Sequence, residues 1–272
     1  MHKGSRRTSY VLLTIAAMVA AAPIVGVLLV SLNPPGAAVG GVGLPSHPSF
    51  SNIIQTWQQG DFGGALAWSA VLTAGTVIIA TLCAVPAGYG FATMRFRGRA
   101  PLFYLFVLGM ILPYASVLIP MYYEFRFLSL SGTPWAVILP SAALSISFGT
   151  FWMRAVFLSL PRELIEAARI DGASSFSVLL RVGLPITRSA ILVLVLLLFL
   201  WTWNAFMLPL IMLAGSSIIT APLDLNAFQG GHVSDVPGLA AGALFVSLPV
   251  VALYVLTQRY FVRGLTEGAL KL

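Results

Sequence analysis

Long apolar runs with few charged residues are the feature of this sequence that most constrains its fold. A helix of roughly 20 residues, rising about 1.5 Å per residue, crosses a hydrocarbon core of about 30 Å. Such a helix also satisfies its own backbone hydrogen bonds in lipid, and the runs lack the alternating polarity of barrel strands. The runs predict membrane spans at about 10–32, 66–93, 101–123, 135–157, 190–214 and 239–261.

The fold class follows from these runs. The sequence predicts an all-α, polytopic membrane protein with six transmembrane helices in a single domain over residues 1–272. The composition agrees, because 58% of the residues are hydrophobic and 8% are charged, whereas about 25% of a soluble domain is charged. The first run is longer than the apolar core of a signal peptide, about 7–15 residues, and is therefore interpreted as a retained helix.

The basic residues are distributed unevenly, and their distribution predicts the orientation. Fourteen of the 15 Lys and Arg residues lie in the two tails, the loop after the second run or the segment after the fourth run. Only Arg126 lies on the opposite side. Because cationic loops near span ends resist translocation, both termini are predicted to be cytoplasmic. The cations are spread over four separate segments, so the sequence does not indicate a nucleic-acid partner.

The sequence carries no recognisable catalytic or metal-binding motif. Its three histidines lie in tails or loops, and a single cysteine, Cys83, cannot form a thiolate cluster. A Walker A loop needs a lysine after its last glycine, but the only lysines are Lys3 and Lys271. The run centres also lack the ionisable residues of ion-coupled transporters. We therefore predict no catalytic, cofactor-binding or metal-binding residue, and expect a partner to supply any energy for transport.

The segment at about 159–188, between the fourth and fifth runs, concentrates charge in an otherwise apolar chain. Proline at 161 and Glu163 suit a first helical turn and Gly172 suits a stop, which predicts a short helix over 161–171. A second short helix is predicted to begin at Ser174 or Ser175 and to end at Pro185. The two helices could form a protruding partner-binding knob or an amphipathic hairpin on anionic lipid headgroups.

A motif within this segment resembles the EAA loop of ABC importer permeases. It consists of Glu166-Ala167-Ala168, three residues, Gly172, nine residues, Val182, one residue, and Leu184-Pro185. The stretch at 160–176, the run Phe199-Leu200-Trp201-Thr202-Trp203-Asn204 and the tail at 258–271 are similar to the carbohydrate-importer branch, whose members resemble the smaller membrane subunit of the maltose system. The resemblance covers nearly the whole chain.

This resemblance implies a mechanism and a set of partners. The segment would dock on a cytoplasmic ATPase, and the docking residues would be Glu166, Ala167, Ala168, Asp171, Gly172 and Ala173. ATP and Mg would be bound by that ATPase and not by this chain. The other partners would be a homologous second permease, a second ATPase copy and an extracytoplasmic sugar-binding protein that contacts the loop at 215–238. The chain would be a multi-pass protein of a bacterial or archaeal cytoplasmic membrane, surrounded by lipid.

Two polar or aromatic residues of the fifth run are candidates for a translocation path. Trp201 could offer a flat ring face to a sugar and Asn204 a hydrogen-bonding amide. Plain packing and an interhelical hydrogen bond are the alternative roles. The carbohydrate branch often has an acidic residue after this motif, whereas this chain has Ala205. The alternative function is a membrane scaffold or an enzyme-complex subunit that does not transport.

Overall fold

The computed structural model describes residues 3–38, 45, 48–111, 113–229 and 234–269, with side chains between residues 9 and 258. No described residue belongs to a strand. The elements in chain order are α1 (Lys3–Ser31), α2 (Ser51–Gln59), α3 (Phe62–Thr93), α4 (Arg99–Ile111), α5 (Tyr114–Phe127), α6 (Trp135–Leu158), α7 (Arg162–Ile170), α8 (Ser175–Val178), a π-helix (Leu179–Gly183), α9 (Leu184–Trp203), α10 (Met207–Met212), α11 (Ala221–Asp224), a 3₁₀-helix (Leu225–Phe228) and α12 (Val236–Ala269). The predicted all-α class is confirmed.

Within the described residues, five helices are long and apolar enough to span a membrane. They cover Ser9–Ser31, Phe62–Thr93, Trp135–Leu158, Ser175–Trp203 and Val236–Gln258. Helices α4 and α5 pass the same test only together, and they meet at an angle of 98°. Pro113, which has no backbone N–H, precedes α5. The polytopic membrane class is therefore confirmed, with a sixth span if the bent pair counts as one.

The fifth predicted span differs from the helix in the structure. Helix α9 already begins at Leu184 and ends at Trp203, and the separate helix α10 follows. Pro209 cannot donate a hydrogen bond, and its ring would clash with the carbonyl group four residues earlier in a continuous helix. A helix can instead begin again just before Pro209, because proline fits a first turn.

The first of two compact units contains Met1–Leu66 and Ala221–Pro249. Its core is centred on the fully buried ring of Phe62, which lies 6.2 Å from the ring of Phe228 and 5.2 Å from that of Phe245. Gly242 permits this packing, since an added Cβ there would lie 2.8 Å from Phe62 Cζ. The buried amide of Asn52 donates to the carbonyl oxygens of Ser31 and Pro237, at 2.7 and 3.0 Å.

The second unit contains Ala67–Thr220 and Val250–Leu272. Its largest core brings together α3, α6 and α9 around Tyr89, Met153, Phe157 and Leu194. Small residues allow the helices to approach closely, as is common in membranes. An added Cβ at Gly88 would lie 2.6 Å from Met153 Cβ. Segment 159–188 extends from this core.

Candidate functional site

Helix α7 carries most of the charge of segment 159–188. It runs from Arg162 to Ile170, in agreement with the helix predicted over 161–171. Pro161 precedes it with an extended ψ of 127°, and Glu163 lies in its first turn. A carboxylate in the first turn stabilises a helix because it faces the positive end of the dipole.

The turn after α7 depends on Gly172. Gly172 N donates to Arg169 O and Ala173 N donates to Ala168 O, both at 3.0 Å. These two bonds form a Schellman motif, in which the residue after the helix adopts a left-handed conformation. Gly172 has φ +78°, which glycine adopts without steric cost. An added Cβ would meet nothing within 4 Å, so a side chain here would strain the backbone without displacing a neighbour.

The second helix of the segment begins as predicted but does not end as predicted. Ser174 Oγ accepts a hydrogen bond from Ser177 N at 3.2 Å and caps α8. The prediction that Pro185 ends this helix is wrong, because α8 continues through the π-helix into α9. Leu184 N donates to Leu179 O in the wider π pattern, and Pro185 follows in the first turn of α9. The extra residue of the π turn shifts the hydrogen-bond register, so that the proline ring is accommodated in a first turn and the helix is not broken.

The segment has one buried and one exposed face. Ile165, Ala168 and Ala173 pack against the core cluster that contains Val178 and Leu179. This packing and the continuous helix into α9 join the segment to the core of the second unit.

The six predicted docking residues lie close together around the end of α7. Glu166, Ala167, Asp171 and Gly172 are exposed, whereas Ala168 and Ala173 are half-buried. The structure thus brings them to one turn and its flanking residues.

Two exposed apolar side chains accompany these residues and were missed by the sequence analysis. Ile170 is 86% exposed and Phe176 is 67% exposed. Exposed apolar side chains next to polar ones are typical of protein-binding surfaces. Their position in the sequence could have indicated this exposure, because each lies near the Gly172 turn and not on the apolar face of α7.

A cavity of about 500 Å³ lies among α4, α5, α6 and α9. Trp201 lines it and is 52% exposed, and its ring contacts Phe148 edge-to-face at 4.7 Å between centroids. The hydroxyl-bearing residues of the lining are Tyr114, Ser141, Ser145 and Thr202. A concave, largely apolar site with a few polar groups suits a small molecule.

The two predicted path residues have different surroundings. Trp201 faces the cavity, but Asn204 is not part of its lining, and its Nδ2 donates to Leu200 O at 2.8 Å. Phe148, Ser141 and Ser145 were not predicted from the sequence, because they come from another helix. The sequence does contain an indication of the two serines, because they lie four residues apart in an apolar run and therefore on one helix face.

A buried carboxylate in the first unit was also missed. Asp224 is 6% exposed, and its Oδ2 has no hydrogen-bond partner among the described residues. An added Cβ at Gly60 would lie 2.6 Å from this oxygen. Burial, with a further contribution from the negative charge of Asp61, raises the pKa of Asp224 to about 6. Asp224 lies in α11, within the loop predicted at 215–238.

Comparison with known families decides the identity of the chain. Residues 84–267 match the family model described as binding-protein-dependent transport system inner membrane component. The chain belongs to this family. The match includes α6, segment 159–188, α9 and the residues that line the cavity, so the resemblance drawn from the EAA motif is confirmed.

Curated relatives of this permease have similar length. It is 33% identical over 228 residues to the probable ABC transporter permease protein YurM of Bacillus subtilis, covering 84% of this chain and 76% of that one. It is 30% identical to the arabinooligosaccharides transport system permease protein AraQ of Halalkalibacterium halodurans, covering 94% and 92%. It is 29% identical to the trehalose transport system permease protein SugB of Mycobacterium tuberculosis, covering 98% and 99%.

The fold of the permease also matches a solved structure. A chain of a bacterial ABC transporter involved in the import of the acidic polysaccharide alginate superposes with a TM-score of 0.76 at 24% identity. The match covers 96% of this chain and 99% of that one. This similarity supports the fold, whereas the function rests on the family match and on the curated relatives.

Proposed function

We propose that this permease forms one half of the membrane path of an ABC importer for a sugar or a sugar-like solute. Curated relatives named for arabinooligosaccharides and trehalose support the solute class. One structural observation carries the proposal. The helical stretch Ser175–Trp203, 29 residues long, begins beside the Gly172 turn and ends at the cavity that Trp201 lines.

Docking at one end of this stretch would move the other end. The exposed turn around Asp171 and Gly172 would seat on an ATPase subunit, with Ile170 and Phe176 filling apolar pockets of the partner. Closure of the ATPase dimer on ATP would then push the segment, and the packing of Ile165 and Ala168 on the core would transmit the movement to α6 and α9. ATP and Mg would be bound by the ATPase alone.

The remaining partners follow from the same scheme. A homologous second permease would complete the path, two ATPase copies would drive it, and an extracytoplasmic binding protein would deliver the solute to the loop at 215–238. Residues 230–233 of that loop lie outside the described residues. Both termini and segment 159–188 would face the cytoplasm, as the distribution of Lys and Arg predicts.

The cavity would form part of the solute path. The exposed ring of Trp201 offers an apolar face, and the hydroxyl groups of Ser141, Ser145 and Thr202 offer hydrogen bonds. A sugar presents both kinds of surface, since its ring carbons are apolar on one face and its hydroxyl groups lie around the edge. Asn204 would contribute less, because its amide donates to the backbone of its own helix.

Reconstituted uptake tests this function. The chain, its second permease, the ATPase and the binding protein are assembled in liposomes, and ATP-dependent uptake is measured with labelled trehalose and an arabinooligosaccharide as probes. We expect Trp201→Ala to reduce uptake of the transported probe at least tenfold while ATP hydrolysis stays within about twofold, because the ring lines the path and not the ATPase contact.

Asn204→Ala is the matched control and should leave uptake within about twofold, since the amide is not in the cavity lining. Failure of the wild-type assembly to take up any sugar that its binding protein binds would contradict the sugar assignment. Equal uptake by the Trp201→Ala and wild-type assemblies would contradict the path assignment.

A further inference from the structure

A second cavity, of about 740 Å³, lies beside segment 159–188 within the second unit. Its walls come from the end of α3, the connector Met94–Gly98 with the start of α4, the end of α6, and α7. Four arginines line it: Arg95, Arg99, Arg162 and Arg169. Glu166 is the carboxylate of the lining. We call this space the arginine cavity.

The charge of the arginine cavity is strongly positive. Each guanidinium group carries one positive charge, and the lining contains four of them and a single carboxylate. Four like charges around one space repel one another, and their repulsion is relieved when an anion binds among them. Guanidinium groups bind phosphate with two parallel hydrogen bonds each, which makes phosphate the best-matched anion.

Part of this wall is already ordered for binding. Gly98 turns the connector with φ +82°, and Arg99 Nη1 donates to Met94 O at 3.1 Å. This bond fixes the guanidinium group of Arg99 against the connector and leaves its remaining N–H groups available to a ligand. Arg162 and Arg169 line the cavity from α7 and Arg95 lines it from the connector, so an anion bound to both sets would join α7 to the connector.

Part of the lining of the arginine cavity is apolar, and two candidate membrane spans end there. The candidate spans Phe62–Thr93 and Trp135–Leu158 both end at its walls. Leu158, Leu160 and Ile165 contribute apolar surface to the same lining as the arginines. A site that combines apolar and cationic groups matches an anionic lipid, whose phosphate would meet the arginines while an acyl chain covers the leucines.

We propose that the arginine cavity binds a phosphate-bearing anion, which ties α7 to the α3–α4 connector. The phosphate comes from an anionic lipid headgroup or from free phosphate, and both are recognised by the same guanidinium groups. The assignment to the cytoplasmic leaflet rests on the orientation given under the proposed function. Because Glu166 and Arg169 line the cavity from the docking helix, the bound anion would also fix the helix that meets the ATPase.

Native mass spectrometry of the purified full chain in detergent tests the site without any transport partner. The probe is dioctanoyl phosphatidylglycerol, with inorganic phosphate as a competitor and dioctanoyl phosphatidylcholine as the zwitterionic comparison. We expect the double variant Arg95→Gln/Arg169→Gln to lower the affinity for the phosphatidylglycerol at least tenfold. Glu166→Gln should raise it several-fold, because it removes the opposing charge, and loss of folding could not produce that increase.

Arg97→Gln is the matched control, because Arg97 lies on the same connector but not in the lining, and it should change the affinity less than twofold. If millimolar phosphate does not displace the bound phosphatidylglycerol, the natural ligand is a lipid headgroup. If phosphate displaces it, the natural ligand is free phosphate. Equal effects of the Arg97 and Arg95/Arg169 variants, weaker binding to Glu166→Gln, or equal binding of the two lipids would overturn the proposal. This result is independent of uptake, so the cavity and the proposed function can fail separately.

Discussion

At the scale of single residues, Gly172 determines the shape of the exposed turn. Its φ of +78° is one that L side chains rarely adopt, and both hydrogen bonds of the Schellman motif depend on it. The proposed docking residues on either side are therefore oriented by one backbone conformation. Their side chains are small or exposed, which lets a partner approach the backbone closely.

Gly172→Ala should disturb this turn without filling any space. The left-handed conformation costs a non-glycine residue about 1–2 kcal/mol, so the turn would shift and α7 would move relative to α8. We expect reconstituted uptake to fall several-fold while ATP hydrolysis continues. Gly36→Ala is the control, because Gly36 also has a positive φ, +69°, with nothing within 4 Å of an added Cβ. Equal effects of the two variants on uptake would contradict a special role of the Gly172 turn.

Asp224 makes the stability of the chain depend on pH. Its pKa rises from 3.8 to about 6 on folding, so the folded chain binds the proton more tightly than the unfolded chain. The contribution of Asp224 to the free energy of unfolding is therefore fully present below pH 4 and is lost as the pH rises through about 6. We expect Asp224→Asn to raise the Tm at pH 7.5 by about 2–4 °C, the shift that corresponds to roughly 1 kcal/mol in a chain of this size.

The melting temperatures of wild type and Asp224→Asn in detergent, measured from pH 4.5 to 8, check this expectation. The advantage of the variant should shrink as the pH falls below 6, because the wild-type carboxyl group becomes neutral. Asp61→Asn should show a smaller effect, since Asp61 is exposed. A constant difference between wild type and Asp224→Asn across this range would show that the carboxylate does not titrate there.

At the scale of elements, the junction between α8 and α9 connects the exposed turn to the membrane. The sequence predicted a stop at Pro185, because proline normally breaks a helix interior. The π-helix Leu179–Gly183 changes the hydrogen-bond register just before the proline, and a single-sequence pattern does not reveal such a change. Thr187 Oγ1 donates to Gly183 O at 2.8 Å and further stabilises the junction.

Insertion of two glycines between Gly183 and Leu184 should interrupt this continuity. The docking residues would keep their turn, so the ATPase should still co-purify, but movement would no longer reach α9. We expect uptake to fall more than tenfold, measured in the reconstituted assembly. The same insertion after Gly36 serves as the control. Uptake within twofold of wild type after the junction insertion would show that a rigid α8–α9 connection is not needed.

At the scale of the whole molecule, the apolar runs sufficed to predict the membrane class, whereas the ends and breaks of the helices needed the structure. A membrane-spanning run must be long enough to cross the hydrocarbon core, and the length of each run can be read from the sequence alone. The end of α9 at Trp203 depends on Pro209 further along the chain. The angle of 98° between α4 and α5 likewise could not be predicted from their composition.

The candidate sites were predictable to different extents. The exposed turn at Gly172 could be located because its glycine, its caps and its charges lie within a dozen neighbouring residues. The cavity at Trp201 could not, because Phe148 and Ser145 come from a helix distant in sequence, and only packing brings them together. Asp224 was missed for the same reason, since the burial that raises its pKa comes from the packing of the first unit.

We propose above that the turn around Gly172 seats on an ATPase in the assembled transporter. Site-directed crosslinking tests it most directly, with a cysteine-reactive photo-crosslinker placed by Ala167→Cys in a Cys83→Ser background. Ala167 is exposed, and Cys83 is the only native cysteine, so the label is unique within this chain. We expect a covalent adduct with the ATPase subunit in a transport-competent assembly. Adducts with lipid alone, in an assembly that still imports its solute, would contradict it.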